Sequence, residues 1–176
     1  MTSCLVLCLG LLAWLDSPFA SSGQPAGGPS QLPKPLGGAG AAEVYQLGSG
    51  LRAKVWGHDL VIIDGVGAVV AHNSHLIRLE DELTYCPSAG FERIVSKGDY
   101  FTIEQQTCGG WYYINEYITF HYLKASRKIV LHKYGRVSTD RRDPNKAIPA
   151  ELYTAKQLGP RSFNQVTKAS LDAVGY

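Results

Sequence analysis

Two cysteines in the middle of the chain are the first residues whose chemistry constrains the protein. Cys86 and Cys108 form an even pair that would enclose a loop of about 22 residues. A disulfide closing such a loop stabilises a fold by roughly 3 kcal/mol, because it lowers the entropy of the unfolded chain. The sequence therefore predicts a Cys86–Cys108 disulfide, and the alternative is two separate thiols.

A catalytic role for Cys108 is the competing interpretation of the segment Cys108-Gly109-Gly110-Trp111. A thiol nucleophile needs a thiolate of lowered pKa beside a histidine. In papain-type proteases the nucleophile directly precedes the tryptophan, and Gly110 occupies that position here. The chain also has no Gly-x-Ser-x-Gly, no His-Glu-x-x-His and no phosphate-binding glycine loop. The sequence thus predicts no catalytic residue and indicates that the protein is not an enzyme.

Two histidines near the middle of the chain are the candidate metal ligands. His72 and His75 flank Asn73-Ser74, which can form a two-residue hairpin loop that brings both imidazoles onto one face. A zinc site needs at least three protein ligands, and only His58 or Glu80 could add to this pair. A solvated turn with no metal and no cofactor is the prediction. Glu80, Asp81 and Glu82 are likewise expected to lie in a solvated turn, because adjacent strand residues point to opposite faces.

A cluster of aromatic residues supplies the strongest candidate for a binding site. In a regular strand, side chains alternate between the two faces, so one face would differ sharply from the other. The predicted binding face carries Trp111, Tyr113, Tyr117 and His121, and the opposite face carries Ile114, Ile118 and Phe120. Exposed aromatic rings suit glycan stacking or a protein-binding hot spot. The alternative is that these rings lie beneath a second packed layer.

The elements that would position these residues are β-strands. Between Glu43 and Tyr134 the chain carries short apolar runs separated by turn residues, and no stretch keeps a helical stripe. The predicted fold is mainly β: one antiparallel sheet or a small sandwich of hairpins, with a short irregular or weakly helical C-terminal tail. Strands are also expected over 66–71 and 76–79, on either side of the Asn73-Ser74 turn.

The clearest hairpin joins residues 117–122 to residues 127–134. With a loop over 123–126, Phe120 would lie opposite Ile129 and Ile118 opposite Leu131. The other face would then pair Thr119 with Val130 and Tyr117 with His132.

The two ends of the chain differ from the central domain. Residues 5–15 form an apolar run of signal-peptide length, and small residues follow, so we expect a signal peptide over 1–22 with cleavage before Gly23. A buried N-terminal helix and a lipidated Cys8 are the alternatives. A Pro/Gly-rich linker is expected over 23–42, the β domain over 43–135, and a tail over 136–176 that packs on the domain or is partly disordered.

Within the tail, helical turns are expected over 150–158 and 163–173, with Val166 and Leu171 docking on the domain. The charged segment Asp140-Arg141-Arg142-Asp143 is expected to be solvated, or otherwise to form a partner-binding patch.

Charge narrows the classes of partner. The 176 residues include 17 basic and 15 acidic ones, and the net charge is +2. Such a balance lacks the polycationic surface that duplex nucleic acid or anionic lipid requires. The expected partner is an envelope glycan or another extracytoplasmic protein, and no membrane span is expected in the mature chain.

Several segments follow one another in an order that resembles a known pattern. They are Leu79-Glu80-Asp81-Glu82-Leu83-Thr84-Tyr85-Cys86, Gly98-Asp99-Tyr100-Phe101-Thr102-Ile103-Glu104, Gly109-Gly110-Trp111, Tyr117-Ile118-Thr119-Phe120-His121-Tyr122 and Leu131-His132-Lys133. The stretch from Asp59 to Gly135 that contains them resembles a family of uncharacterised secreted bacterial proteins. The resemblance implies a secreted β protein and implies no activity.

These observations lead to one main hypothesis on function and two alternatives. The main hypothesis is a secreted or periplasmic, non-catalytic binding or accessory module of a bacterial cell envelope, of the inhibitor-like or immunity-like kind. The first alternative is a cell-envelope or glycan hydrolase whose active site carries no known motif. The second is a structural protein of the envelope.

Overall fold

The computed structural model describes residues 42–79, 86 and 89–174. The predicted signal peptide, and the predicted linker except for its last residue, lie outside the described residues. So do Glu80, Asp81 and Glu82.

The described chain forms two antiparallel sheets, as the sequence predicts. The first sheet contains, in spatial order, β1 (Glu43–Gln46), β2 (Arg52–Trp56), β3 (Asp59–Ile63) and β4 (Val69–Asn73). The second contains β5 (Gly90–Lys97), β6 (Tyr100–Gly109), β7 (Tyr112–Leu123), β8 (Lys128–Asp140) and β9 (Glu151–Thr154). Short helical segments follow: α1 (Ala155–Leu158), a 3-10 turn (Phe163–Gln165) and α2 (Lys168–Asp172).

Glycine permits the tight turns of the long hairpins. Gly98, between β5 and β6, has a φ of 60°, and Gly110, between β6 and β7, has a φ of 58°. A side chain is disfavoured in this left-handed region, so glycine is suited to both positions.

The core lies between the two sheets. Leu60 and Ile62 of β3 are fully buried, and so are Ile103 of β6 and Ile118 and Phe120 of β7. Because side chains alternate along each strand, the residues between them point away from the core. This arrangement leaves each sheet with one solvent face.

The predicted register of the β7–β8 hairpin is wrong by two residues beside the turn and by three residues beyond a bulge. Phe120 lies opposite Leu131 instead of Ile129, and Ile118 lies opposite Tyr134 instead of Leu131. The turn spans 124–127 instead of 123–126, because Leu123 already pairs with Lys128. A shift of two residues leaves every side chain on its predicted face, so Phe120 remains buried.

A bulge in β8 accounts for the rest of the difference. Thr119 pairs with Lys133 while Phe120 pairs with Leu131, so His132 is the extra residue on β8. The predicted pairs of Thr119 with Val130 and of Tyr117 with His132 are therefore also wrong. Tyr117 instead lies opposite Gly135.

The predicted hairpin at Asn73-Ser74 is absent from the described structure. Strand β4 ends at Asn73, and residues 76–79 form no strand, although Leu76 is fully buried. The Asn73 side chain is itself buried: its amide donates to the carbonyl oxygens of Phe163 at 2.6 Å and Val166 at 2.8 Å. Asn73 therefore attaches the C-terminal segment to the first sheet instead of forming a loop.

The C-terminal segment is part of the fold. Strand β8 continues beyond Gly135 to Asp140, and β9 pairs with it over residues 133–136. Where the sequence predicts two helical turns over 150–158, the structure has β9 followed by the single turn α1. Four apolar side chains of this segment join the core: Leu158, Phe163, Val166 and Leu171. None of the helices in the described ranges is long and apolar enough to cross a membrane.

Candidate functional site

Strand β7 separates the predicted binding residues from the core. Its even-numbered residues from Ile114 to Tyr122 are buried between the sheets. Its odd-numbered residues include Tyr113, Tyr117 and His121, which share the solvent face of the second sheet. Trp111 lies in the turn before β7 instead of in the strand, and 59% of it is exposed. The structure thus places three of the four predicted residues on one sheet face and the fourth at its end.

Of the four predicted binding residues, Tyr113 has its ring engaged by neighbours on two sides. It packs against a small buried cluster of Cys86, Ala89 and Cys108. The guanidinium of Arg141 lies over its ring, 5.0 Å from the ring centre. Tyr113 therefore fixes one end of the face and offers little free surface of its own.

The predicted disulfide is confirmed by the geometry of that cluster. Cys86 and Cys108 are bonded, with their Cα atoms 5.7 Å apart. Cys108 lies opposite Tyr113 on the solvent face of the sheet. Because the sulfur is engaged in the disulfide, Cys108 is not a thiolate nucleophile.

Tyr117 lies near the middle of the face. It sits opposite Gly135 of β8, and Gly135 sits opposite Leu152 of β9. A Cβ atom on Gly135 would lie 3.8 Å from the Tyr117 Cβ and 3.7 Å from the Leu152 Cδ1. Gly135 therefore leaves a notch in the row of side chains, and because Gly135 is buried, the neighbouring side chains close over this notch.

Three apolar side chains around this notch are exposed. Tyr117 is 36% exposed, Val137 38% and Leu152 58%. Val137 follows Gly135 by two residues along β8, so it lies on the same face. We call Tyr117, Val137 and Leu152 the outer patch.

Charged side chains surround the outer patch. Glu104 lies opposite Tyr117 on β6, and its Oε2 accepts a hydrogen bond from Arg93 Nε at 2.7 Å. Lys133 also lies on this face beside the patch, whereas Lys97 lies opposite Tyr100 at the far end, and neither has an ion-pair partner within the described part of the chain. An apolar centre with a polar rim is the anatomy of a protein-binding surface.

His121 is part of a ring cluster at the far end of the face. Its imidazole stacks on Tyr100, with 4.2 Å between the ring centres and an interplanar angle of 11°. His132, displaced by the bulge, contacts the same tyrosine at 4.9 Å. His121 is therefore half-covered by Tyr100, which itself remains 37% exposed.

The charged segment after β8 contacts the aromatic residues. Arg142 lies 5.6 Å from the centre of the Trp111 ring, in cation–π range. Its guanidinium also bonds the Asp140 carboxylate at 3.1 Å. Hydrogen bonds from the Arg142 side chain and backbone lower the pKa of Asp140 to about 2. Arg141, Arg142 and Asp143 are exposed, as the sequence predicts, whereas Asp140 is buried. The two arginines extend the aromatic face.

A buried ion pair on the inner side of β7 was missed by the sequence prediction. Arg78 Nε donates to Glu116 Oε2 at 2.7 Å, and Arg78 Nη2 donates to Glu116 Oε1 at 3.2 Å and to Asp172 Oδ1 at 2.5 Å. Tyr134 donates to Glu116 Oε1 at 2.5 Å, and Gln105 donates to Glu116 Oε2 at 3.1 Å. Burial, with the nearby Glu116 charge, raises the pKa of Tyr134.

The alternation of side chains along β7 could have predicted that Glu116 is buried. Glu116 falls in phase with Ile114 and Ile118, which places a carboxylate on the core face and requires a partner. That partner, Arg78, comes from a non-regular segment that the sequence does not place. Within the described residues, no buried side-chain nitrogen or oxygen lacks a hydrogen-bond partner. The network is therefore satisfied, and it holds β6, β7, β8 and α2 together.

The candidate metal ligands are not brought together. His72 donates to Asp59 Oδ1 at 2.7 Å on the first sheet. His75 lines a groove of about 540 Å³ with His58 and Lys168, and the His58 Nδ1 lies 3.2 Å from the Ile77 carbonyl oxygen. Across the described ranges, no group of three or more His, Cys, Asp or Glu side chains could hold a metal ion.

Comparison of the chain with known protein families, with curated proteins and with solved structures found no match. Function is therefore inferred from the residues and their geometry alone.

Proposed function

We propose that the protein is a secreted or periplasmic, non-catalytic module of a bacterial cell envelope that binds another protein through the solvent face of its five-stranded sheet. The observation that carries this proposal is the outer patch, where three apolar side chains lie uncovered on one regular sheet. Isolated exposed apolar residues are common on protein surfaces, whereas adjacent ones with a polar rim mark interaction sites.

The composition of the outer patch favours a protein over a glycan. Val137 and Leu152 are aliphatic and offer no hydrogen-bonding group to a sugar hydroxyl. Protein interfaces bury apolar side chains at their centre behind a polar rim, and Tyr117 supplies the aromatic anchor that hot spots favour. The ammonium group of Lys133, which has no ion-pair partner within the described residues, indicates a partner with acidic residues around its own apolar centre.

The proposed compartment is supported by two features. The Cys86–Cys108 disulfide is compatible with an oxidising space outside the cytoplasm. The apolar segment at the start of the sequence has the length of an export signal and is followed by small residues.

Site-specific photocrosslinking tests the proposal. A benzoylphenylalanine at Leu152 is compared with one at Trp56, which is 43% exposed on the first sheet and serves as the matched control. Both variants are expressed in the native host, irradiated, and isolated from extracytoplasmic material. We expect one protein to be crosslinked by the Leu152 variant and not by the Trp56 variant.

Three further measurements decide the outcome. The purified crosslinked protein should bind the parent chain, and removal of Tyr117 should weaken that binding roughly thirtyfold, equal to about 2 kcal/mol. Equal crosslinking from both positions would contradict the proposal. Cosedimentation with purified envelope glycan, lost in the same variants, would replace the protein partner with a glycan.

A further inference from the structure

A groove opens at the lateral edge of the sandwich, away from the outer patch. It lies between β4 of the first sheet, the start of β8 in the second sheet and the 3-10 turn Phe163–Gln165, and its volume is about 630 Å³. Cavities of about 300 to 1,000 Å³ are typical of sites for small organic molecules.

The topology explains why the groove exists. Strand β4 is the last strand of the first sheet, so its outer edge has no neighbouring strand. In the second sheet, β9 pairs with β8 only over residues 133–136. On the side away from β7, the first residues of β8 therefore have no neighbouring strand, except for a single bridge between Val130 and Ser162. Two sheet edges meet at this point, and a gap remains between them.

The floor of the groove is apolar. Val70 and Ala71 of β4 line one side, and Ile129 of β8 lines the other. Phe163 lies between them, where it packs on Phe120 with 5.0 Å between the ring centres. Ile129 and Phe163 are almost fully buried, so the floor is rigid and belongs to the core.

Two cationic side chains line the rim of the groove, Arg127 and Lys128. His72 also lines it, and no carboxylate does. Arg127 Nη2 bonds Asp64 Oδ2 at 2.7 Å from outside the groove, and His72 bonds Asp59 in the same way. Lys128 has no ion-pair partner anywhere in the described ranges. An unpaired ammonium beside an apolar floor attracts an anionic group.

Arg127 occupies an unusual backbone conformation at the edge of the groove. Its φ is 52°, one of two positive φ values among the non-glycine residues of the described chain. Glycine or asparagine is the usual residue at such a turn position, because a long side chain is disfavoured there. The Arg127 side chain lines the groove.

We propose that this groove binds a small organic carboxylate that carries an apolar body. The carboxylate would lie at Lys128 and Arg127, and the apolar body would rest on the half-buried Val70 and Ala71, beside the buried Ile129 and Phe163. This site is separate from the outer patch and does not depend on the proposed protein partner.

A matched pair of probes tests the proposal in the intact domain. 2-Naphthoate supplies an aromatic body with a carboxylate, and 2-naphthamide supplies the same body without charge. Each is titrated into ¹⁵N-labelled protein while amide shifts are recorded. We expect saturable shifts at Val70, Ala71 and Ile129, and about tenfold tighter binding of naphthoate than of naphthamide, the effect of one charge-assisted contact.

Two variants and one control test which side chains cause the preference for naphthoate over naphthamide. Lys128→Gln and Arg127→Asn should each remove most of the preference for naphthoate, and asparagine keeps the left-handed turn. Lys133→Gln, which removes an exposed lysine outside the groove on the same strand, should leave the preference unchanged. The proposal is overturned by the absence of saturable naphthoate binding, by equal affinity for the two probes, or by shifts confined to residues outside the groove.

Discussion

The two sheets expose solvent faces of different character. On the first sheet, charged side chains such as Lys54, Asp59 and His72 are mixed with three exposed apolar ones, Val44, Trp56 and Val69. On the second sheet, the outer patch places three exposed apolar side chains around the notch at Gly135. Both sheets contribute their inner faces to the same core.

The difference separates surface needed for folding from surface available for binding. Fold stability requires only that the inner faces be apolar, so exposed apolar side chains on either outer face exceed what the fold requires. The three residues of the outer patch lie on neighbouring strands, whereas β3 separates Val69 from Val44 and Trp56 on the first sheet. Exposure of the outer patch is unfavourable in water, and a partner that covers it removes that cost.

The largest expected effect is a loss of stability when a side chain on the inner face of the second sheet is truncated. Phe120 is fully buried and packs on Phe101 and Phe163. Phe120→Ala should lower the free energy of unfolding by about 3–5 kcal/mol, because it leaves a cavity. Val137→Ala, on the outer face, should change it by less than about 0.5 kcal/mol. Urea unfolding of both variants measures the two values, and a Phe120→Ala loss below about 1 kcal/mol would mean that the assigned face is inverted.

The disulfide gives the next largest effect. It closes a loop of 22 residues, so replacing Cys86 and Cys108 by serine should lower the free energy of unfolding by about 3 kcal/mol. Tyr113, which packs on the sulfurs, should also lose order, while Tyr117 should not. Thermal unfolding and amide hydrogen exchange follow the two regions. Two results would contradict the separate roles of Tyr113 and Tyr117: an unchanged free energy of unfolding, or an equal loss of amide protection at both tyrosines.

A smaller effect concerns pH and the arginines that extend the face. The pKa of Asp140 is about 2 in the folded protein and near its ordinary 3.8 when unfolded. The unfolded state therefore binds more protons between these values, so this contribution to stability is complete above about pH 4 and is lost as pH falls toward 2. Asp64 and Asp99 also have lowered pKa values, so the parent protein should lose stability in acid.

Arg142→Gln should reduce this slope, because the Arg142 side chain is the main cause of the Asp140 shift. Arg141→Gln is the control, since Arg141 lies over Tyr113. Urea unfolding between pH 2 and 6 measures the slope. An unchanged slope in Arg142→Gln would show that the Asp140 pair does not act as described.

The face on which each β7 side chain lies can be predicted from sequence, because it depends only on the alternation of side chains along the strand. Alternation along β7 correctly assigns Phe120 to the core and Tyr117 to the solvent face, although the predicted register is wrong. The even shift of two residues explains both results, since the face depends on parity and the partner depends on the turn. The cross-strand partners depend on the left-handed conformation of Arg127 and on the bulge at His132. Arginine and histidine are not typical of either position, so the sequence does not predict them.

Other features required contacts that are distant in sequence. Asn73 has a typical turn composition around it, yet its amide bonds the chain 90 residues later. Glu116 can be assigned to the core by its period, but Arg78 cannot be chosen as its partner from sequence. Gly135 reveals the notch only once β9 is placed beside it, because Leu152 forms the other wall.

Tyr117→Ala tests the central claim most directly, with its effects on folding and on binding measured separately. Exposed on a regular strand, Tyr117 should contribute less than about 1 kcal/mol to the free energy of unfolding. The same variant should weaken binding of the crosslinked partner roughly thirtyfold, whereas Trp56→Ala should leave it unchanged. Calorimetric titration of the folded variants, alongside their thermal unfolding, provides both values. A Tyr117→Ala protein that unfolds, or that binds the partner as tightly as the parent, would contradict the outer patch as the binding surface.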